Sequence, residues 1–190
     1  MIINIFGPSG SGKTYFVRSL LKYKSVYKFY EEFSSEKQKE NFDKKISITL
    51  LPLPKFRGNV EDLFSIFDLK MNSLINLSNE LKNLSQSIFN KNLTYDNLNT
   101  ISNRSLDTFS AGEIRRLFLL KTLMQDKSLL IIDEPFSNSD ERIWELIFKS
   151  ISCSTNSIVL SHIPLNDLFK SSKKIISINI NHAINKFNMK

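Results

Sequence analysis

Residues 7–14 read Gly-Pro-Ser-Gly-Ser-Gly-Lys-Thr, and this octet constrains the chain more than any other stretch. Glycine, four residues, then Gly-Lys-Thr is the spacing of a phosphate-binding loop. The glycines let the backbone curl so that successive N–H groups point inward at phosphate oxygens. Lys13 supplies a cation for the β- and γ-phosphates, and the Thr14 hydroxyl suits Mg²⁺. The helix start behind the loop adds partial positive charge. The flanks agree. Met1-Ile2-Ile3-Asn4-Ile5-Phe6 is an apolar run with β-branched residues that predicts a strand, while Phe16, Val17, Leu20 and Leu21 have helical spacing over 13–24. Gly7, Pro8, Ser9, Gly10, Ser11, Gly12, Lys13 and Thr14 are therefore the candidate nucleotide contacts.

Glycine is scarce elsewhere. The chain has 190 residues and only five glycines, against roughly thirteen at the usual ~7%. Gly7, Gly10 and Gly12 lie in the loop and Gly112 stands just after Ser110, so four of the five fall where backbone is expected to approach phosphate. Gly58 is the exception.

A second chemical feature closes the apolar run Leu129-Leu130-Ile131-Ile132 with Asp133-Glu134-Pro135. Acids at the carboxyl end of a parallel strand sit where ligands bind in open α/β folds. Asp133 is the candidate metal carboxylate with Thr14, and Glu134 the candidate base that orients or deprotonates an attacking water. Ser157-Ile158-Val159-Leu160-Ser161 predicts another strand, with His162 just beyond it as a second candidate catalytic residue. His182 is expected in a polar turn, without a catalytic role.

Phe109-Ser110-Ala111-Gly112-Glu113 precedes a long apolar helix. Ser110 and Glu113 have the Ser-x-x-Glu spacing of a capping box. Gly112 in the first turn costs about 1 kcal/mol relative to Ala, which points to close backbone approach by another group. Helix termini leave free N–H donors, so a cap and an anion contact at this place are compatible.

Strands alternating with helices predict an α/β fold with a mostly parallel sheet and flanking helices. Ile46–Leu51 is a further strand stopped by Pro52 and Pro54, and the alternation Ile176, Ile178, Ile180 predicts a last one. Between about residues 60 and 108 the texture shifts to Leu, Asn, Ser and Lys. Leu74, Leu77, Leu81, Leu84 and Ile88 there lay one apolar stripe along a helix. The expectation is a single domain over 1–190 with an inserted helical subdomain.

Composition excludes other classes. A lone cysteine, Cys153, makes neither an internal disulfide nor a zinc site, which reads as a reduced cytosolic protein. No run approaches the ~20 apolar residues of a membrane span, and residues 1–6 lack the marks of a secretory signal. The net charge is 26 − 19 = +7, with Lys170, Lys173, Lys174, Lys186 and Lys190 gathered in the last 21 residues without an acid. Lysine is abundant throughout and no aromatic-interleaved Arg patch appears, so nucleic acid is not among the expected partners.

Taken together and in this order, the segments resemble an ATP-binding cassette (ABC) ATPase, over Met1 to about Ile180. The resemblance makes residues 7–14 the Walker A loop, Phe109–Glu113 a variant of the LSGGQ signature and Leu129–Glu134 the Walker B strand. Ser137-Asn138-Ser139-Asp140 corresponds to the D-loop, and Ser161-His162 to the switch-histidine loop. It implies a P-loop NTPase fold, ATP and Mg²⁺ as cofactors, and two cassettes paired head to tail, identical or different. Ser110, Gly112 and Asp140 join the nucleotide contacts in such a pair. The implied partner is a membrane-spanning transporter subunit in trans, with the cassette cytoplasmic and peripheral at the membrane's cytoplasmic face. Residues Phe109–Asp140 are most similar to exporter-type cassettes.

Two departures stand out. Leu53 occupies the place of the Q-loop glutamine and cannot ligate Mg²⁺ or polarise water, so either the metal keeps an extra water there or turnover is slow. The chain also starts on the Walker A strand, without the antiparallel β segment whose aromatic residue stacks on adenine in transporter cassettes. Two other functions fit parts of the sequence: a non-transport ABC ATPase acting on DNA or another macromolecule, and a small P-loop nucleotide or nucleoside kinase. Against the kinase, no Arg-rich lid segment is present.

Overall fold

The computed structural model describes residues 1–33, 45–137, 139–153, 156–169 and 175–187. Asn138 of the expected D-loop and Lys170, Lys173, Lys174 and Lys190 of the basic tail lie outside the described residues. The chain forms two compact units, one of residues 1–51, 127–134 and 155–190, the other of 52–126 and 135–154.

The first unit is a five-stranded sheet with helices. Its strands are β1 (Ile2–Phe6), β2 (Ile46–Thr49), β3 (Leu129–Asp133), β4 (Asn156–Ser161) and β5 (Ile175–Asn179). Their spatial order is β2-β3-β4-β1-β5, and each neighbouring pair is parallel. Strand alternation sends Ile3, Ile5, Leu129, Ile131, Ile158, Leu160 and Ile178 to one face, where they form a single buried cluster.

Three helices cover that cluster: α1 (Lys13–Lys22), α2 (Val26–Phe33) and α9 (Ile180–Lys186). Phe16, Val17 and Leu20 supply the apolar stripe of α1, Phe29 and Tyr30 that of α2, and Ile180 and Ala183 that of α9. Phe29 meets Phe16 edge-on at 5.5 Å between ring centroids and Phe187 at 5.2 Å. The opposite face is more polar, with Asn4, Ser47, Thr49, Ser157 and Ser161 all buried. Helix α8 (Leu165–Leu168) follows β4 and packs on β5.

The end of the chain departs from expectation. Ile180 is the first residue of α9, so it neither extends β5 nor lies in a strand, and His182 is helical. The reason is local: the Asn179 side chain caps α9 by accepting from the Asn181 N–H at 3.0 Å, and Ile180 and Ala183 are buried by the helical phase. Lys186, the tail lysine that is described, pairs with Glu32 at 2.7 Å.

The second unit is helical. It contains α3 (Val60–Ile66), α4 (Asn79–Phe89), α5 (Tyr95–Ser102), α6 (Ala111–Met124) and α7 (Glu141–Ser152), with short 3-10 turns at Met71–Asn76 and Leu106–Thr108. Helix α4 packs on α6 and α7. The expected single stripe from Leu74 to Ile88 is divided. Ser78 adopts extended backbone and its side chain accepts from the Leu81 N–H, so α4 starts afresh at Asn79 and Leu74 belongs to the preceding 3-10 turn. Leu84 and Ile88 remain fully buried, while Leu77 and Leu81 are half-buried.

Lys121 is an unusual member of this unit. It lies in α6, is 4% exposed, and its ammonium sits 3.5 Å from the centroid of the Phe67 ring. Burial lowers it from 10.5 to about 8. Between those values the unfolded chain holds a proton that the folded chain has released, so this group makes stability rise with pH there. At neutral pH it is a buried cation, which costs free energy that the aromatic face offsets in part. Lys121→Met is expected to raise the thermal midpoint at pH 7 by roughly 2–4 °C, the shift of about 1 kcal/mol in a chain this size. Melting curves at pH 7 and pH 10 check it, with the gain shrinking at the higher pH.

Candidate functional site

The site begins with strand order. β3, β4 and β1 lie side by side and parallel, with Phe6 opposite Ser161 and Asp133 opposite Leu160. Gly7, Glu134 and His162 follow these strands at their carboxyl ends, where open α/β sheets bind ligands. The sheet therefore brings together the three sequence segments singled out for chemistry.

Left-handed glycines shape the loop from Gly7 to Gly12. Gly10 has φ 76° and Gly12 φ 88°, values that a side chain would strain. Gly7 donates its N–H to the Ser161 carbonyl at 3.2 Å, and Ser11 N–H reaches the Pro8 carbonyl at 3.2 Å. Pro8, Ser9 and Gly10 are exposed at the crest. Lys13, 5% exposed, folds back beneath them, its Nζ donating to the Gly7 carbonyl at 2.7 Å and the Pro8 carbonyl at 3.0 Å. The same ammonium is 3.5 Å from Glu134 Oε1.

Thr14 and Asp133 form the next layer. The Thr14 hydroxyl donates to Asp133 Oδ2 at 2.6 Å, and the Leu51 N–H approaches the same oxygen at 3.3 Å. Asp133 Oδ1 and the Ser11 hydroxyl are buried without a hydrogen-bond partner. Buried polar atoms are normally satisfied, and a bound cation or phosphate oxygen at the loop would satisfy these two. Among the described residues no group of three His, Cys, Asp or Glu gathers as a metal cage. A hydroxyl and one carboxylate with an unused oxygen fit Mg²⁺, which keeps waters and takes further oxygens from phosphates.

Glu134 joins this layer to the histidine. His162 Nε2 is 2.9 Å from Glu134 Oε2, so the carboxylate lies between an ammonium and an imidazole. His162 is half exposed and Glu134 largely covered. The Glu134 backbone has φ 51°, a left-handed conformation disfavoured for any residue with a side chain, and Pro135 follows it. Such strain collects at functional positions.

The remaining predicted residues belong to the helical unit. Ser110 and Glu113 form a reciprocal capping box on α6: Glu113 N–H donates to Ser110 Oγ at 3.2 Å, and Ser110 N–H to Glu113 Oε2 at 2.8 Å. Burial pushes the Glu113 carboxyl up, but the bonds from Ser110 and the nearby Arg104 and Arg116 outweigh it and leave it below its ordinary value. Gly112 is buried within the first turn. Asp140 is exposed and caps α7, accepting from the Ile143 N–H at 2.9 Å. Leu53 is half-buried.

Comparison with known proteins decides the family. The chain matches the ABC transporter family over residues 1–137. It belongs to that family. The match covers the phosphate loop, the capping box of α6 and the Asp133-Glu134 pair in one continuous span. The chain is 26% identical to the zinc import ATP-binding protein ZnuC of Ehrlichia chaffeensis over 186 residues, 94% of this chain and 69% of that protein. It is 33% identical over 95 residues to the cytochrome c biogenesis ATP-binding export protein CcmA of Reclinomonas americana, 47% of this chain and 42% of that one. The chain thus spans about seven-tenths of the ZnuC relative.

Solved structures agree on the fold. An archaeal ribosome recycling factor, aABCE1, superposes with a TM-score of 0.60 at 21% identity, over 93% of this chain and 31% of that one. A cobalt transport ATP-binding protein gives 0.59 at 20% identity, over 94% and 64%. This ABC protein is accordingly an ATP-binding P-loop ATPase whose hydrolysis serves transport, and the kinase alternative falls away. Import and export proteins both stand among its relatives.

One residue at the site escaped the sequence reading. Asn4 is fully buried in β1 and bonds to the segment that carries His162. Its signal was available: a single amide inside an otherwise apolar strand.

Comparing Glu134→Gly with Glu134→Ala isolates the backbone strain, because both variants lose the carboxylate. The glycine variant is expected to unfold at higher denaturant, by about 1 kcal/mol, in equilibrium urea titrations.

Proposed function

We propose that this ABC protein binds ATP with Mg²⁺, pairs head to tail with a second cassette, identical or different, and drives a separate membrane-spanning transporter subunit from the cytoplasmic side. The observation that carries the reading is the Glu134 carboxylate held between Lys13 at 3.5 Å and His162 at 2.9 Å, directly after a Walker B strand. Among the described residues no helix is long and apolar enough to cross a membrane.

The residues divide the work. Backbone N–H groups of the Gly7–Thr14 loop cradle the phosphates, and Lys13, already held at the loop, neutralises their outer oxygens. Thr14 and Asp133 hold Mg²⁺, which when bound neutralises charge on the phosphate oxygens. Glu134 orients the attacking water and takes its proton. His162 contacts the γ-phosphate and is itself held by Glu134. Ser110 still carries a hydroxyl proton after capping α6, and Ala111 and Gly112 stand in the first turn, where N–H groups have no partner within the helix. These donors close over the nucleotide of the paired cassette, with Asp140 lining the junction.

Two experiments test this. Glu134→Gln keeps the shape and removes the base. It is expected to lower ATP turnover by roughly a hundredfold or more and to form a dimer with ATP and Mg²⁺ on size-exclusion chromatography. A protein that hydrolyses ATP while strictly monomeric in all nucleotide states would sink the paired mechanism. Separately, Leu53→Gln supplies the amide that the sequence lacks and is expected to raise kcat several-fold in a steady-state phosphate-release assay.

A further inference from the structure

Asn4 is the only amide in β1, is 0% exposed, and uses its carboxamide completely. Its Nδ2 donates to the Val159 carbonyl at 3.1 Å and to Ser161 Oγ at 2.8 Å. Its Oδ1 accepts from the Leu165 N–H at 2.9 Å and from the Ser177 hydroxyl at 3.1 Å. Two donors and two acceptors are the amide's ordinary capacity. A backbone carbonyl on one side and a backbone N–H on the other fix which end of the amide points where.

The partners are not scattered. Ser161 and Leu165 bracket the turn that carries His162, and Ser161 Oγ, having accepted from Asn4, donates onward to the Ile163 carbonyl at 2.6 Å. The backbone on both sides of His162 is thus tied to a buried amide in the strand that leads into the phosphate loop. At its other end the imidazole meets Glu134 at 2.9 Å. Since His162 is 50% exposed, packing does little to fix it, and its place depends on these ties. A half-exposed side chain on a free turn would lose geometry that catalysis needs.

We infer that Asn4 is a positioning residue for His162, acting through the Ser161 hydroxyl and the 161–165 turn. Its catalytic consequence rests on the reading of His162 as a γ-phosphate contact. The amide touches no reacting atom; it sets where the imidazole stands.

The test uses the full chain with Ser161→Ala, which removes the relay at small structural cost, Ser161→Thr, which keeps the hydroxyl, and Asn4→Asp, which keeps the acceptor and removes both donations. Ser161→Ala and Asn4→Asp are expected to lower kcat roughly tenfold or more, with KM for ATP within about twofold. Ser161→Thr should recover most of the rate. In a His162→Ala background, Ser161→Ala should cost nothing further; the same fold loss in both backgrounds would overturn the inference, because a general structural defect predicts it.

A second readout stands apart from hydrolysis. The chain has two histidines, His162 and His182, so their imidazole resonances are readily assigned. Ser161→Ala should shift those of His162 and leave those of His182 in place. If His162→Ala leaves kcat unchanged, the γ-phosphate reading fails while the resonances still judge the positioning. An unmoved His162 signal in Ser161→Ala overturns the inference.

Discussion

Because β3, β4 and β1 run parallel and adjacent, three chemically distinct segments that lie far apart in sequence, at residues 7–14, 133–134 and 162, end at one edge of one sheet. Parallel pairing requires crossover connections, so the residues between these strands must go elsewhere. Much of the chain between β2 and β3, and between β3 and β4, forms the helical unit. The site is thus a product of strand order: the phosphate loop comes from β1, the two carboxylates from β3 and the histidine from β4.

Charge then organises the edge. Lys13 is a buried cation, tolerated because two loop carbonyls and Glu134 surround it. Glu134 in turn touches His162, while Asp133 is occupied on one oxygen only. The two adjacent acids therefore have different surroundings, one between an ammonium and an imidazole and one beside a hydroxyl. Division of labour between neighbouring carboxylates follows from such differences in environment. The left-handed backbone at Glu134 is what turns its side chain away from the course that an extended strand would set.

Much of this could be read from the sequence. The phosphate loop, the Walker B strand and the strand before His162 each combine a strong local signal with a chemical residue at its end, and such signals survive tertiary context. The capping box at Ser110 was legible for the same reason, as the spacing is itself the interaction. What escaped was governed by competition among weak signals. The stripe from Leu74 to Ile88 has helical period throughout, yet one serine cap at residue 78 divides it. Val, Tyr and Phe are weak helix formers, so α2 carries little local signal, and packing of Phe29 and Tyr30 against the sheet decides its state. The end of β5 turned on a single asparagine cap. Asp140 was legible as a motif residue, and its cap on α7 follows from the spacing to Ile143.

The buried amide of β1 also bears on how the sheet keeps its alignment. β4 is buried along nearly its whole length and β1 is mostly buried, so their apolar residues discriminate weakly between one pairing and the next. Asn4 stands opposite Val159 on one neighbour and Ser177 on the other, and bonds to both. A slip of either strand by one residue would carry a partner out of reach and strand a polar group in the interior, at a cost of about 1–3 kcal/mol. One side chain thereby selects the register of three strands, and with it the height at which each of their carboxyl ends emerges.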